Sequence, residues 1–147
     1  MNIPKTHIGA AVKTNNLGLA PAVRSAGSRQ GTALSPSEWM SGVLTASTGA
    51  VTGTPTATSV TYGLETRDAT TDPPGAWVAL TNMDGVEVEV EITAANTCKE
   101  VDFDLTYVPE GHTELRVTES VLFTDGTTPT VASSAILVLG GANRLPV

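Results

Sequence analysis

Strict alternation of apolar and polar residues in the second half of the chain predicts β-strands. Residues 86–92, VEVEVEI, place Val and Ile on one side and Glu on the other. Residues 101–108, VDFDLTYV, repeat the pattern with Val, Phe, Leu and Tyr on the apolar side. Because successive strand residues point to opposite faces of a sheet, we expect each segment to bury one side and expose the other.

Weaker alternation predicts further strands, separated by loops rich in Gly and Pro. These segments are residues 40–47, 59–66, 76–80, 113–123 and 131–139. Glu119 interrupts the apolar side of segment 113–123, which we interpret as a bend or as two short strands. Evenly spaced strands without intervening helices are typical of antiparallel sandwiches. We therefore predict an all-β fold, an immunoglobulin-like antiparallel β-sandwich, with a jelly roll as the alternative.

Residues 1–37 follow neither the helical nor the strand period. Gly and Pro interrupt this segment, yet it keeps scattered apolar side chains, which are fewer in a purely disordered linker. We predict an extended N-terminal arm over residues 1–37 and a β-sandwich domain over residues 38–147, with a tail of no function as the alternative to the arm. The arm residues expected to contact a partner are Ile3, Lys5, Ile8, Val12, Lys13, Leu17, Leu19, Val23, Arg24 and Arg29.

The charge is divided unevenly between these two parts. Residues 1–37 contain four Lys or Arg and no acid, whereas residues 38–147 contain four Lys or Arg and all fifteen Asp and Glu. The parts carry charges of +4 and −11, which together give the net charge of −7. An acidic domain repels phosphates, so we predict no nucleic-acid partner. The weakly basic arm suits an acidic protein surface better.

Residues that could carry chemistry are few. Cys98 is the single cysteine, so no internal disulfide can form. Neither His7 nor His112 belongs to a recognisable catalytic or zinc-binding motif, and no phosphate loop, paired-cysteine or Ser-His-Asp pattern is present. The pattern therefore predicts a protein that is not an enzyme and uses no cofactor.

Five carboxylates could form an acidic ladder if their two strands pair. Like charges facing each other across strands are destabilising, and Ca²⁺ binding is one way to relieve the repulsion. A solvated face that discourages edge-to-edge pairing is the simpler interpretation, and we predict no metal. The ladder residues are Glu87, Glu89, Glu91, Asp102 and Asp104.

Two tryptophans are candidate interface residues. Trp39 stands where the arm meets the domain, and Trp77 lies in a short apolar segment after a Pro-Pro-Gly loop. Packing in a core or an interface is the common role of a lone Trp, and stacking on a sugar is the alternative. No segment approaches the roughly 20 apolar residues of a membrane span, and no signal peptide is recognisable. We expect synthesis in the cytosol and no membrane partner.

Several segments resemble small virion proteins of tailed bacteriophages and prophages. They are GTPTATSVTYGLETRDA, AWVAL, VEVEVEI and the terminal AILVLGGANRLPV. The matching positions are Gly53 to Ala57, Trp77 and Val138 to Pro146. The chain departs from the group at residues 113–118, TELRVT, where relatives tend to have a basic strand.

This resemblance implies a capsid decoration (cement) protein or another minor head protein. Its implied partners are the major capsid protein and neighbouring copies of itself, with a trimer as one arrangement. Its implied location is the capsid surface, after assembly in the host bacterial cytoplasm. A head–tail joining or tail structural protein, or a displayed carbohydrate- or cell-surface-binding module, is the alternative.

Overall fold

Two antiparallel β-sheets make up the fold. The structure is a computed structural model, and it describes residues 12–13 and 18–142. The first sheet has the order β1-β10-β4-β8, with β2 also paired to β10, and the second has β3-β9-β5, with β6 and β7 both paired to β5. This arrangement confirms the predicted all-β antiparallel sandwich. The strands are β1 (Val12–Lys13), β2 (Gly18–Arg24), β3 (Gly27–Gln30), β4 (Ser41–Thr52), β5 (Ala57–Arg67), β6 (Val78–Ala79), β7 (Glu89–Ile92), β8 (Thr97–Asp104), β9 (Glu114–Thr124) and β10 (Thr130–Gly140).

Alternation along the four long central strands builds the core. On β4, β5, β9 and β10 every second residue is buried over most of the strand. Burying one such Leu or Val side chain contributes about 1.5–3 kcal/mol, which makes this layer the main source of stability. The fully buried apolar side chains include Leu44, Val60, Tyr62, Leu80, Ile92, Leu115, Val121, Leu137 and Leu139.

The predicted arm is wrong for residues 18–37, because these residues belong to the sandwich. β2 pairs with β10 in the first sheet and β3 pairs with β9 in the second, so the chain crosses between sheets. Leu19 is only 5% exposed within the core, and Leu34 exchanges backbone hydrogen bonds with Leu115. Without these strands, β9 and most of β10 would be bare sheet edges. The sandwich therefore begins no later than Gly18.

The strand predicted at Glu119 is continuous, not bent or broken. β9 runs from Glu114 to Thr124 and pairs with β5 in unshifted register over its whole length. Glu119 keeps an inward position between Val117 and Val121. Inward and outward side chains therefore alternate regularly along β9, and Glu119 differs from the other inward residues only in being charged.

A short hairpin projects from the edge of the second sheet between β6 and β7. Both strands pair with β5, and residues 81–87 between them fold back through the pairing of Thr81 with Glu87. The amide of Asn82 donates to the carbonyl of Val86 (2.8 Å), and the amide of Val88 donates to that of Leu80 (2.8 Å). The predicted strand at 86–92 thus begins only at Glu89, and residues 81–87 are called the hairpin below.

Candidate functional site

The arm residues expected to face a partner have several different fates. Ile3, Lys5, Ile8 and Leu17 lie outside the described residues. Val12 and Lys13 form β1 and pair with Gly140 and Leu139. Leu19 is buried in the protein's own core, whereas Val23 is 71% exposed.

Arg24 and Arg29 form ion pairs within the fold. Arg29 lies opposite Glu119 in the β3–β9 register, and Nε of Arg29 donates to Oε1 of Glu119 at 2.8 Å. A second bond joins Nη2 to Oε2 at 3.1 Å, and Nε of Arg24 lies 3.5 Å from Oε1. The Glu119 side chain is fully buried, so these two cations neutralise a charge that burial would otherwise make costly.

Arg29 also connects the two sheets. Its Nη1 donates to the carbonyl of Ala20 on β2 (2.8 Å), and its Nη2 donates to the carbonyl of Ser133 on β10 (3.2 Å). β2 and β10 belong to the first sheet, whereas Arg29 and Glu119 belong to the second. The cluster therefore fastens the N-terminal strands to both layers, which makes it a structural site.

Tyr62 completes this buried cluster. Its hydroxyl donates to the carbonyl of Ser47 at 3.0 Å. Burial, followed by the negative charge of Glu119, raises the pKa of Tyr62 to about 12. The Tyr62 hydroxyl therefore stays protonated near neutral pH and donates its hydrogen bond to Ser47.

Trp77 lies against two arginines on the outer face of the second sheet. The guanidinium carbon of Arg116 is 4.0 Å and that of Arg67 is 4.5 Å from the ring centre. Each arginine also bonds a carboxylate on the neighbouring strand, Arg116 to Glu65 (2.6 Å) and Arg67 to Glu114 (2.7 Å). The ring surface that contacts these guanidiniums is not available to a sugar, and the arrangement is a cation–π stack.

Trp39 and the remaining candidate residues have ordinary structural environments. Trp39 is partly buried and packs against the core. His112 shares a hydrogen bond with Thr66 (2.9 Å) in the second sheet, whereas Cys98 is exposed on β8 in the first. The structure thus separates Cys98, on the first sheet, from His112, which lies in the loop before β9 and bonds to the second sheet.

The expected carboxylate ladder does not form. β7, which holds Glu89 and Glu91, lies in the second sheet, whereas β8, which holds Asp102 and Asp104, pairs with β4 in the first. The alternating segments are adjacent in sequence, but the chain changes sheets between them. Across residues 12–13 and 18–142, no group of three or more His, Cys, Asp or Glu side chains could hold a metal ion.

The hairpin carries two well-exposed apolar side chains, and a third lies just before it in the sequence. Met83 is 74% exposed, Val86 is 59% exposed and Val78, at its base, is 43% exposed. Asn82 braces the turn, because its side-chain oxygen accepts from the amides of Asp84 (2.9 Å) and Val86 (3.1 Å). These hydrogen bonds fix the backbone that carries the exposed apolar side chains. Gly85 at the tip (φ 74°) allows the tight turn.

A groove of about 300 Å³ lies beside the hairpin on the outer face of the second sheet. Gly63 of β5 leaves room in it, because a side chain at that position would point toward Thr118 and Glu89. Glu87, Val88 and Glu89 line one part and residues 28 and 30 of β3 line another. No Lys, Arg or His is among its lining residues, so its charge is negative.

Sequence reasoning missed the Arg29–Glu119 cluster, the hairpin and the groove. One signal for the cluster was present, since Glu119 occupies an inward position and a buried carboxylate requires a cationic partner. No pattern in the sequence predicts the groove, because the groove depends on which strands become neighbours in the sheet. The described part of the chain contains no helix long and apolar enough to cross a membrane.

Comparisons with known proteins find little similarity. No protein-family model and no curated protein matches the chain. The structure is similar to the crystal structure of SPBc2 prophage-derived protein YomS, with a TM-score of 0.38 and 13% sequence identity. That comparison covers 86% of this chain and 94% of the YomS chain. At this level of similarity it assigns no role to any residue.

Proposed function

We propose that this protein is a non-catalytic structural component of a bacteriophage virion. In this role it binds the outer surface of the capsid and stabilises the shell by bridging major capsid subunits. The bacteriophage origin rests on the sequence segments that resemble small virion proteins. The structural observation that carries the binding role is the projecting hairpin with its exposed Met83 and Val86.

The hairpin has the chemistry of a protein-binding surface. Exposed apolar side chains that cluster on an otherwise polar surface mark contacts with other proteins. Here Met83 and Val86 lie on one braced turn, and Val78 precedes it by three residues, whereas the polar residues of the same segment include Asp84, Glu87 and Glu89. An apolar contact with a polar rim is the usual anatomy of a specific interface.

The use of charged side chains supports binding rather than catalysis. Each of the four arginines in the described residues pairs with a glutamate, and all four pairs join neighbouring strands or hold the buried cluster. These groups are committed to stability. The proposed function therefore needs a rigid body with a contact surface and requires no reaction.

The N-terminal contribution to capsid binding is smaller than the sequence suggested. Arg24 and Arg29 are occupied by Glu119, which leaves Lys5 and Lys13 as the cations of residues 1–17. We propose that the hairpin supplies the principal contact with the capsid and that the N-terminal residues add to it. Assembly would take place in the host cytoplasm, and several copies, arranged as a trimer or otherwise, would cover the shell.

Cosedimentation with undecorated capsids of the source phage tests this proposal. The double variant Met83→Ser, Val86→Ser should bind at least about tenfold more weakly, because central apolar contacts dominate interface energies. The double variant Leu122→Ser, Ile136→Ser is the matched control, since those two residues are also well exposed but lie on β9 and β10. Capsid binding by the hairpin variant at the wild-type level would overturn the proposal.

Copy number separates this function from the alternative within the virion. Quantitative mass spectrometry of purified particles should find hundreds of copies for a decoration protein. A dozen or fewer copies would instead indicate a head–tail joining or tail component. No copies in the particle would remove the virion role altogether.

A further inference from the structure

The groove beside the hairpin has a charge that its own residues leave uncompensated. Four glutamates line it, and two of them are paired, Glu65 with Arg116 at 2.6 Å and Glu119 with Arg29 at 2.8 Å. Glu87 and Glu89 are exposed and form no ion pair with any residue that the structure describes. A ligand that brings a positive charge here would gain two unpaired partners.

The rest of the groove suits an extended polypeptide. Val88, Leu64 and Ala79 contribute apolar surface, while Gln30, Thr118 and neighbouring hydroxyl side chains offer hydrogen-bonding groups. The hairpin adds exposed Val86 next to Glu87. A segment that mixes apolar and basic side chains and has no acid would match all three properties.

The chain itself contains such a segment. Residues 1–11 carry Ile3, Ile8 and Lys5 and have no Asp or Glu, and they lie outside the described residues. Residues 38–147 as a whole carry all fifteen Asp and Glu against four Lys or Arg, so the sandwich of a second copy would be repelled from the groove overall. We propose that the groove binds residues 1–11 of a second copy of this chain.

The position of β1 allows a second copy to supply this segment. Val12 pairs with Gly140 at the edge of the first sheet, whereas the groove opens on the outer face of the second. Residues 1–11 in extended form reach about 36 Å at roughly 3.3 Å per residue, which is enough to cross to a neighbour. This contact concerns copies of the chain with each other, and it goes beyond the proposed binding to the capsid.

Binding of a synthetic peptide with the sequence of residues 1–11 to the full-length protein tests the groove. Fluorescence anisotropy of the labelled peptide should show binding that weakens as salt rises from about 50 mM to about 300 mM. Glu87→Lys with Glu89→Lys should weaken it at least about tenfold. Gly63→Leu should weaken it too, because a side chain at this position fills the groove.

A matched control and a charge exchange make the result specific. Glu100→Lys with Asp102→Lys changes the net charge equally on β8 of the first sheet, and it should leave most of the peptide binding intact. A peptide carrying Lys5→Glu should bind the Glu87→Lys, Glu89→Lys protein better than it binds the wild type. If both double variants weakened peptide binding equally, the loss would come from the net charge of the protein and not from the groove. That result would overturn the proposed site.

Sedimentation equilibrium of the full chain tests the second copy. The mean mass should rise with protein concentration, and deletion of residues 1–11 or the Glu87→Lys, Glu89→Lys change should remove that rise. A full chain that stays monomeric at all concentrations while its groove binds the peptide would place the segment on its own copy and overturn the proposal. The two tests are independent, because sedimentation equilibrium of the protein alone involves no capsid. A monomeric full chain would overturn the proposed groove contact but not capsid binding. A failure to bind capsids would overturn the proposed function but not the groove contact.

Discussion

Arg29 and Glu119 lie directly opposite each other on β3 and β9 and form a two-point ion pair in the interior. The bonds are 2.8 Å from Nε to Oε1 and 3.1 Å from Nη2 to Oε2. Because Nη2 of the same guanidinium also donates to the carbonyl of Ser133 in the other sheet, one side chain joins three strands. Arg29 thereby fastens the N-terminal strands onto the sandwich.

The first prediction concerns the charge of this pair. Glu119→Gln preserves the shape of the side chain but leaves Arg29 and Arg24 without a counterion. Breaking a buried pair in this way should lower the free energy of unfolding by about 3 kcal/mol. Urea unfolding followed by circular dichroism measures the change.

Glu114→Gln is the matched control for Glu119→Gln. Its partner is Arg67 at 2.7 Å, but the two side chains are 29% and 26% exposed. An exposed pair contributes less than about 1 kcal/mol, so this variant should remain close to the wild type. Equal losses in both variants would show that burial of Glu119 has no energetic consequence.

The sequence was sufficient to predict the sandwich because one-sided burial imposes a period of two. The segments that became β5, β9 and β10 show that period clearly, and they are the strands with the most regular burial. Residues 18–30 lack it, since β2 and β3 are edge strands that change sheets within a few residues. Their assignment to an arm failed because pairing with β9 and β10, rather than periodicity, determines their conformation.

The candidate site was harder to predict than the fold. The carboxylates of β7 and β8 are close in sequence, yet the chain changes sheets between residues 92 and 97. The groove likewise depends on Gly63 of β5 meeting the hairpin and β3, which are far apart in sequence. Local pattern carries no information about such neighbours, whereas a buried Glu such as Glu119 does signal that a cation must come from elsewhere.

The second prediction concerns stability at alkaline pH. The pKa of Tyr62 is raised from 10.0 to about 12, mainly by burial and then by the carboxylate of Glu119. The unfolded chain therefore releases this proton first, near pH 10. The contribution of Tyr62 to stability is complete below about pH 10 and is lost as the pH rises toward about 12. Urea unfolding at several pH values in this window measures the loss.

Tyr62→Phe provides the comparison for that experiment. The variant loses the hydrogen bond to Ser47 and should start about 1 kcal/mol less stable at neutral pH. Between about pH 10 and about pH 12 its stability should fall less steeply than that of the wild type. Parallel curves for the two proteins would contradict a raised pKa at this position.

The third prediction concerns the stack of Trp77 on Arg116 and Arg67. Trp77→Leu removes the aromatic face at 4.0 and 4.5 Å from the two guanidiniums, and it should lower the free energy of unfolding by about 1–2 kcal/mol. Trp77→Phe keeps a smaller ring and should lose less. Thermal unfolding of both variants measures the difference. The same result for Leu and Phe would mean that the ring contributes only by covering apolar surface.

The fourth prediction compares two glycines with similar backbone angles and different surroundings. Gly53 (φ 78°) and Gly85 (φ 74°) both occupy the left-handed region, where an Ala costs about 1–2 kcal/mol. An added Cβ at Gly53 would lie 2.5 Å from the carbonyl oxygen of Thr127, whereas one at Gly85 would meet nothing within 4 Å. Gly53→Ala should therefore lose about 1–3 kcal/mol more than Gly85→Ala in urea unfolding, because the loop before β10 must move away. Since both substitutions carry the same backbone strain, equal losses would mean that the loop yields freely and that the turn at Gly53 does not hold it in place.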